Sequence, residues 1–449
     1  MVGRCGTFLS SSWRHFQKTM KVLVISAILP PYNRGGAESV AYAAIMAFPE
    51  HEVFAISAEP FQSWRSIFGR WDNLSADANC SFKIFRFAPL NLFSIFNIAK
   101  HNAVLRLIWH GLDMFNLHTY FMVRRVLRRE KPDLILTHNL KGLGYTVPLA
   151  IRHSASGEYH PRWFHTIHDM GALHPTGLKI YGEENSFMQT MPLVRLYARL
   201  NAWLFGSPDV VISPSEFLLA EYKGKGFFKK SKTAIIRNPV IPNESTSAIK
   251  QSPPPFRYLY LGQLEAYKGI KLLLDAWKTF ASKYNDAELI IAGEGSLKIE
   301  VEQAVRTLPN VRYVGFLHPE ERNRILSSVH YLILPSFAYE NSPTSIGESL
   351  TAGVPVIASK IGGIPELVKD GVNGFLFQPA DQTSLLEALE RAMAVDYEIL
   401  RNEALLSASN FSLAKYRASI ELQNNFERYK FIQNRPKNKA KTRFLPLSP

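Results

Sequence analysis

Apolar and polar positions alternate along this chain in short blocks. Val22–Ala27 is a compact apolar run, followed by a loop over 29–36 and a helix-period stretch from Ala37. Similar runs recur at Val53–Ser57, Lys83–Phe87, Asp133–Thr137, Trp163–Ile167, Val210–Ile212 and Thr233–Ile236, with helical patterns between several of them. Short buried strands alternating with helices predict parallel sheets covered on both faces. The stretch 241–256, IPNESTSAIKQSPPPF, breaks the rhythm with Ser and Pro and reads as a linker. The alternation then restarts, with strands at Arg257–Leu261, Glu288–Ala292, Val311–Val314, Tyr331–Leu334, Val354–Ala358 and Gly374–Phe377, and helices at Ile270–Tyr284 and Ser296–Thr307.

The expected architecture is therefore α/β, with two Rossmann-like doubly wound domains facing across a cleft. The divisions are a loose extension at 1–19, a first domain at 20–240, the linker at 241–256 and a second domain at 257–405. A helix at 406–431 packs back towards the first domain, and a basic tail occupies 432–449. Ligands of such sheets bind beyond the carboxyl ends of the strands.

Composition narrows this little. The chain of 449 residues is 46% hydrophobic and 20% charged, which suits a globular protein of two or three domains. Its formal charge of +14 favours an anionic partner without choosing which. Two cysteines, Cys5 and Cys80, supply neither a disulfide framework nor a metal-ligand spacing, and fit a reducing cytoplasm. No apolar stretch approaches the ~20 residues that span a bilayer, and residues 1–19 make a poor secretory signal. The segment FMVRRVLRREK at 121–131 follows an apolar, aromatic stretch at 105–120. Together they fit a peripheral contact with an anionic membrane surface. Nucleic-acid binding would account for the charge and for none of the motifs below.

Candidate chemistry concentrates at junctions between strand and helix. In YENSPTSIGESLTAG, Ser342 reads as an N-cap and Pro343 as the first helical residue. The free N–H groups near Thr344 and Ser345 then offer a seat for a diphosphate at the positive end of the helix. Glu340 before the helix and Glu348 within it suit hydrogen bonds from sugar hydroxyls better than contact with phosphate. In YLGQLEAYKG, Lys268 lies where it could reach a diphosphate as a point charge. Gly293 and Gly295 of AGEGSL, and Gly35 and Gly36 of PPYNRGGAE, permit close approach to backbone. HTIHDM places His165, His168 and Asp169 at a strand end, a trio that also resembles part of a metal site. No D-x-D pair, the usual carboxylate signature for a metal–diphosphate site, occurs in the chain.

Taken together, these elements resemble the retaining glycosyltransferases of family 4, which have the GT-B architecture, over about 21–429. The most specific part is E-x7-E at Glu340 and Glu348, followed by GVPVIASKIGGIPELVKDGVNGFLF. SPSEF at Ser213–Phe217, RNPV at Arg237–Val240 and the HD pair at His168–Asp169 add to it. The resemblance implies a nucleotide-sugar donor bound by the second domain, and an acceptor glycan or lipid-linked sugar bound by the first. It implies that Glu340 contacts the donor sugar and Glu348 the ribose, and that Lys268 and the helix start at Ser342–Ser345 hold the diphosphate. Gly36 and Gly293 approach the donor, His168 lies near the donor sugar and the acceptor hydroxyl, and Gly35 and Asp169 lie on the acceptor side. It also implies retention of configuration with no cofactor and no essential metal. One departure is Gln263, where the family usually has arginine; Lys360 is the cation considered as its replacement. The competing readings are a GT-B-shaped epimerase or phosphorylase, or a degenerate sugar-binding member.

Overall fold

The computed structural model describes residues 19–32, 35–77, 80–241, 255–308 and 310–433. The expected extension, most of the linker and the tail lie outside the described residues.

The first sheet comprises β1 (Lys21–Ile25), β2 (Glu52–Ala58), β3 (Arg70–Asp77), β4 (Cys80–Phe87), β5 (Leu134–Thr137), β6 (Arg162–Thr166), β7 (Val210–Ser213) and β8 (Lys232–Ile235). Its order is β3-β4-β2-β1-β5-β6-β7-β8. The second comprises β9 (Arg257–Leu261), β10 (Glu288–Ala292), β11 (Val311–Gly315), β12 (Tyr331–Leu334), β13 (Val356–Ser359) and β14 (Gly374–Phe377). Its order is β11-β10-β9-β12-β13-β14, and every pairing within it is parallel. The central strands are buried along their length, as in VLVI of β1, LILT of β5 and YLIL of β12, because helices cover both faces.

One strand was not expected. RWDNLSAD forms β3, antiparallel to β4 at the sheet edge. An edge strand needs no continuous apolar face, and polar residues there discourage pairing with another chain. Its sequence therefore lacks the run that marks the interior strands.

The order of connection reverses between β1 and β5 in the first sheet and between β9 and β12 in the second. Crevices at these reversals are where open α/β sheets bind ligands. The loop after β1 carries Gly35 and Gly36, and the loop after β5 carries His138. The loops after β9 and β12 carry Lys268 and Glu340. The two crevices face each other.

Contacts between the halves are numerous. The helix Leu413–Gln433 returns to the first domain, where Tyr416 and Ile420 join the core formed by Val22, Val24, Ile45 and Ile212. Glu366 of the second domain accepts hydrogen bonds from the N–H groups of Glu216 (2.9 Å) and Phe217 (3.0 Å), at the start of helix Glu216–Gly224 in the first. Arg237 ion-pairs with the same carboxylate at 3.0 Å. The carboxylate thus meets a positive helix end and a guanidinium together. SPSEF, RNPV and IPEL, far apart in sequence, meet at this point. Hydrogen bonds to a charged group contribute about 1.5–3 kcal/mol each. Replacing Glu366 by Ala is expected to lower stability by about 2–3 kcal/mol and the melting temperature by several degrees. An unchanged calorimetric melt would show that the junction is not cemented there.

Candidate active site

Lys268 ends the short turn Ala266–Lys268 after β9. Gly269 follows with φ +76°, and a methyl group placed on it would sit 1.8 Å from the carbonyl oxygen of Pro335. Only glycine lets the lysine loop rest against the chain leaving β12. Lys268 Nζ lies 2.5 Å from Glu340 Oε1, and Ser336 Oγ donates to the same oxygen at 3.0 Å. Burial pulls the Lys268 ammonium down, but the ion pair with Glu340 outweighs it and holds the group above its ordinary value.

Glu340 is fixed from both sides. Gly362 and Gly363 pack against its backbone so closely that methyl groups there would lie 2.2 Å from Glu340 O and 2.0 Å from Asn341 O. From the first domain, Tyr181 N donates to Phe337 O and Tyr339 N donates to Lys179 O, each at 2.8 Å, around an antiparallel bridge between Ile180 and Ala338. Tyr339 stacks on Phe217 and donates to Glu184 at 2.7 Å. Asn341 Nδ2 donates to His168 O at 2.9 Å, and Asn238 Nδ2 to Ser342 O at 3.2 Å.

The helix after this segment runs Thr344–Thr351, one residue later than the sequence suggested. Pro343 is its N-cap at φ −56° and ψ 124°, and Ser342 is outside it. The extended ψ of Pro343 explains the shift: Pro343 leads into the helix without joining it. Among the described residues, the N–H groups of Thr344 and Ser345 have no hydrogen-bond partner. The helix start is thus available to an anion. Gly36 faces it from the other domain, and a methyl group on Gly36 would lie 3.0 Å from Thr344 Oγ1. Glu348, one turn in, is paired with Arg322 at 3.0 Å. Burial raises the Glu348 carboxyl, and Arg322 pulls it part of the way back. Nothing in the sequence singled out Arg322.

Several of the other expected residues have neighbours within the chain. The glycines of AGEGSL accommodate neighbouring backbone: methyl groups on Gly293 and Gly295 would lie 1.8 Å from Gly262 O and 2.5 Å from Leu264 O. Gln263 is already engaged, accepting from Tyr267 OH at 3.0 Å. Lys360 lies near enough to Asp370 to help lower its pKa, behind the larger effect of Arg391. His165 points into the core between Phe205 and Phe228, bonded to Thr137 Oγ1 at 2.9 Å, so His165, His168 and Asp169 do not converge on a metal. Among the described residues, no group of three His, Cys, Asp or Glu side chains is arranged to hold one.

On the first-domain side, His168 is half-buried and Asp169 is exposed, its Oδ1 accepting from Gly171 N at 2.7 Å. Gly35 precedes helix Gly36–Met46. The Glu38 carboxylate folds beneath it, so that a methyl group on Gly35 would lie 2.6 Å from Glu38 Oε2. Burial raises the Glu38 pKa, and the charge of Asp169 adds to that rise. His138 meets His168 edge to edge at 3.0 Å. Sequence reasoning overlooked both Glu38 and His138, although Glu38 stands in the same GGAE segment that drew attention to Gly36.

Two facing doubly wound domains, with an anion-ready helix start and a lysine at the crevice of the second and Gly36 opposite them in the first, define the class: a GT-B protein. Residues 35–244 match the family model described as Glycosyltransferase Family 4, and residues 255–394 match the one described as Glycosyl transferases group 1. The chain belongs to the group 1 glycosyltransferases. It is 24% identical over 353 residues to an uncharacterised 42.6 kDa protein of the cps region of Klebsiella pneumoniae, covering 78% of this chain and 87% of the other. It is 30% identical to the amylovoran biosynthesis glycosyltransferase AmsK of Erwinia amylovora, over 30% of this chain and 36% of that one. The fold is similar to that of sucrose-phosphate synthase from Thermosynechococcus elongatus, with a TM-score of 0.66 at 17% identity over 92% of this chain and 100% of that one. It is also similar to HepE of Anabaena, solved with UDP, with a TM-score of 0.62 at 18% identity over 91% and 100%.

Burial lowers the His168 pKa to about 4. A base held neutral in the native state is protonated first in the unfolded chain, so its contribution to stability is full above the unfolded value of about 6.5. That contribution is lost as pH falls towards 4. In a histidine NMR titration, the His168 ring is expected to stay neutral at pH 5.5; a midpoint above 6 would contradict the burial described here.

Proposed function

We propose that this glycosyltransferase takes its sugar from a nucleotide-diphosphate donor and transfers it to an acceptor hydroxyl with retention of configuration, in cell-surface polysaccharide or glycolipid synthesis. The observation that carries this reading is the convergence of Lys268, Glu340 and the free N–H groups of Thr344 and Ser345 opposite Gly36. A diphosphate there would meet a helix start and an ammonium. As the glycosidic bond breaks, charge grows on the departing diphosphate, and both groups would stabilise it. Glu340, released from Lys268 by the phosphate, is free to accept hydrogen bonds from the donor sugar. Glu348 suits the ribose hydroxyls, with Arg322 holding its carboxylate in place. This solution calls on no metal. HepE, solved with UDP and with UDP-glucose, and the amylovoran enzyme support the donor class and the biosynthetic setting.

The deciding assay is release of nucleotide diphosphate from a panel of nucleotide sugars, with and without acceptor glycans. Transfer requires release that depends on acceptor; a phosphorylase would need phosphate, and an epimerase would release none. Lys268→Ala is expected to lower kcat/KM by ~10²-fold, the scale of one preorganised donor. A loss under about threefold in a folded variant would remove the lysine from this role.

The outer face of the first domain supports work at an anionic membrane. Helix Ala103–Met114 exposes Val104 (68%), Leu107 (65%) and Ile108, and helix Leu117–Glu130 exposes Phe121 (62%). Arg106 is exposed on the first of these helices and Arg125 and Arg128 on the second, and the only acid from Lys100 to Arg129 is the buried Asp113. Apolar side chains ringed by arginine match the boundary between lipid headgroups and acyl chains. No described helix is long and apolar enough to cross a membrane. Co-sedimentation with anionic liposomes at low salt is expected, and Leu107→Glu with Ile108→Glu should abolish it. Full recovery of the unaltered protein in the supernatant would overturn the assignment.

A further inference from the structure

His138 takes no part in the reading above, yet it is placed where it can govern His168. It follows β5, is 1% exposed, and is held by its own N–H donating to Ile25 O at 2.9 Å. The neighbouring strand β6 delivers His168 to the same edge. The two rings meet edge to edge with centroids 5.2 Å apart and planes 25° apart, and His138 Nδ1 lies 3.0 Å from His168 Nε2. Among the described residues, His138 Nε2 is sealed from solvent without a partner, whereas His168 Nδ1 has no protein partner and is not sealed.

Burial keeps both imidazoles neutral, so each has one N–H and one bare nitrogen. A single hydrogen occupies the 3.0 Å gap, and there are two ways to place it. If His168 Nε2–H donates, then His138 carries its own proton on Nε2, a buried donor with no acceptor. If His138 Nδ1–H donates, the sealed His138 Nε2 is a bare ring nitrogen. A buried N–H left without an acceptor is rarer than an acceptor left unfilled, and it costs the full desolvation of the donor, about 1–3 kcal/mol. The second arrangement is favoured. It also fixes His168, whose Nε2 becomes the acceptor and whose Nδ1 bears the proton on the open side.

We infer that His138 is a positioning residue that locks His168 in the Nδ1–H form, making His168 a hydrogen-bond donor to an oxygen of the bound substrate. His168 in this form stabilises developing negative charge, or orients a sugar or phosphate oxygen; it does not collect a proton from the acceptor hydroxyl. The identity of that oxygen rests on the transferase reading. The tautomer does not, and it is measurable with no substrate present.

The test is nitrogen-15 NMR of the histidine-labelled full chain at neutral pH, with His168 assigned from a His168→Asn spectrum. The unaltered protein should show a protonated Nδ1 and a bare Nε2 for His168. In His138→Ala, which removes the donor and leaves room for water beside His168 Nε2, the proton should move towards Nε2, the position a solvated neutral imidazole prefers. In His138→Asn, whose side-chain amide can donate from nearly the same place, it should stay on Nδ1. Melting curves and nucleotide-diphosphate binding report folding separately, and should His138→Ala fail to fold, the unaltered protein and the Asn variant decide. A His168 proton on Nε2 in the unaltered protein overturns the inference, as does a His138→Ala spectrum with the tautomer unchanged. Failure of the transferase assay alongside the expected tautomer would count against the function and leave the relay standing.

Discussion

The segment from Phe337 to Ser342 is the constraint on which the site depends. A short loop after β12 would ordinarily be free to move, as surface connections are. Here its backbone is bridged by Ile180, its ring at Tyr339 is stacked on Phe217, and its amide at Asn341 reaches His168. Beneath it, the Gly362–Gly363 turn fits so closely that no side chain could replace either hydrogen. Glu340 is therefore positioned by both domains at once. The junction at Glu366 serves the same end, because it holds helix Glu216–Gly224, and with it Phe217, against the second domain.

Charge in the site is balanced internally. Lys268 is matched by Glu340 and Glu348 by Arg322, each at hydrogen-bonding distance. Partly buried charges are costly to leave unpaired, so the protein satisfies them until a ligand takes over one side. In the proposed function, a diphosphate would compete with Glu340 for Lys268, and the released carboxylate would then face the sugar. Gln263, bonded to Tyr267, adds polarity without disturbing that balance.

Much of this was legible in the sequence because interior strands are written as uninterrupted apolar runs. VLVI, LILT, YLYL and YLIL locate the crevices, and the glycines and charged residues that follow them locate the site. β3 was hidden because RWDNLSAD is an edge strand with no apolar run. Arg322 and His138 were hidden for another reason. Each acts on a residue distant in sequence, Arg322 on Glu348 and His138 on His168, and only the order of the strands brings the partners together. The glycines of AGEGSL were seen, and the structure adds a close approach by the backbone of Gly262 and Leu264 that the sequence did not show.

The strand-like bridge between Ile180 and Ala338 has a thermodynamic consequence. Residues 179–184 belong to the domain assigned to the acceptor, and Ala338 lies two residues from Glu340 in the domain assigned to the donor. Anything that shifts this strap when it binds must alter the free energy of placing Glu340. Where a ligand does so, linkage makes the effect mutual, and occupancy of one half would change affinity in the other by the same factor. Two substrates on separate sheets would then report each other's presence through a few main-chain hydrogen bonds.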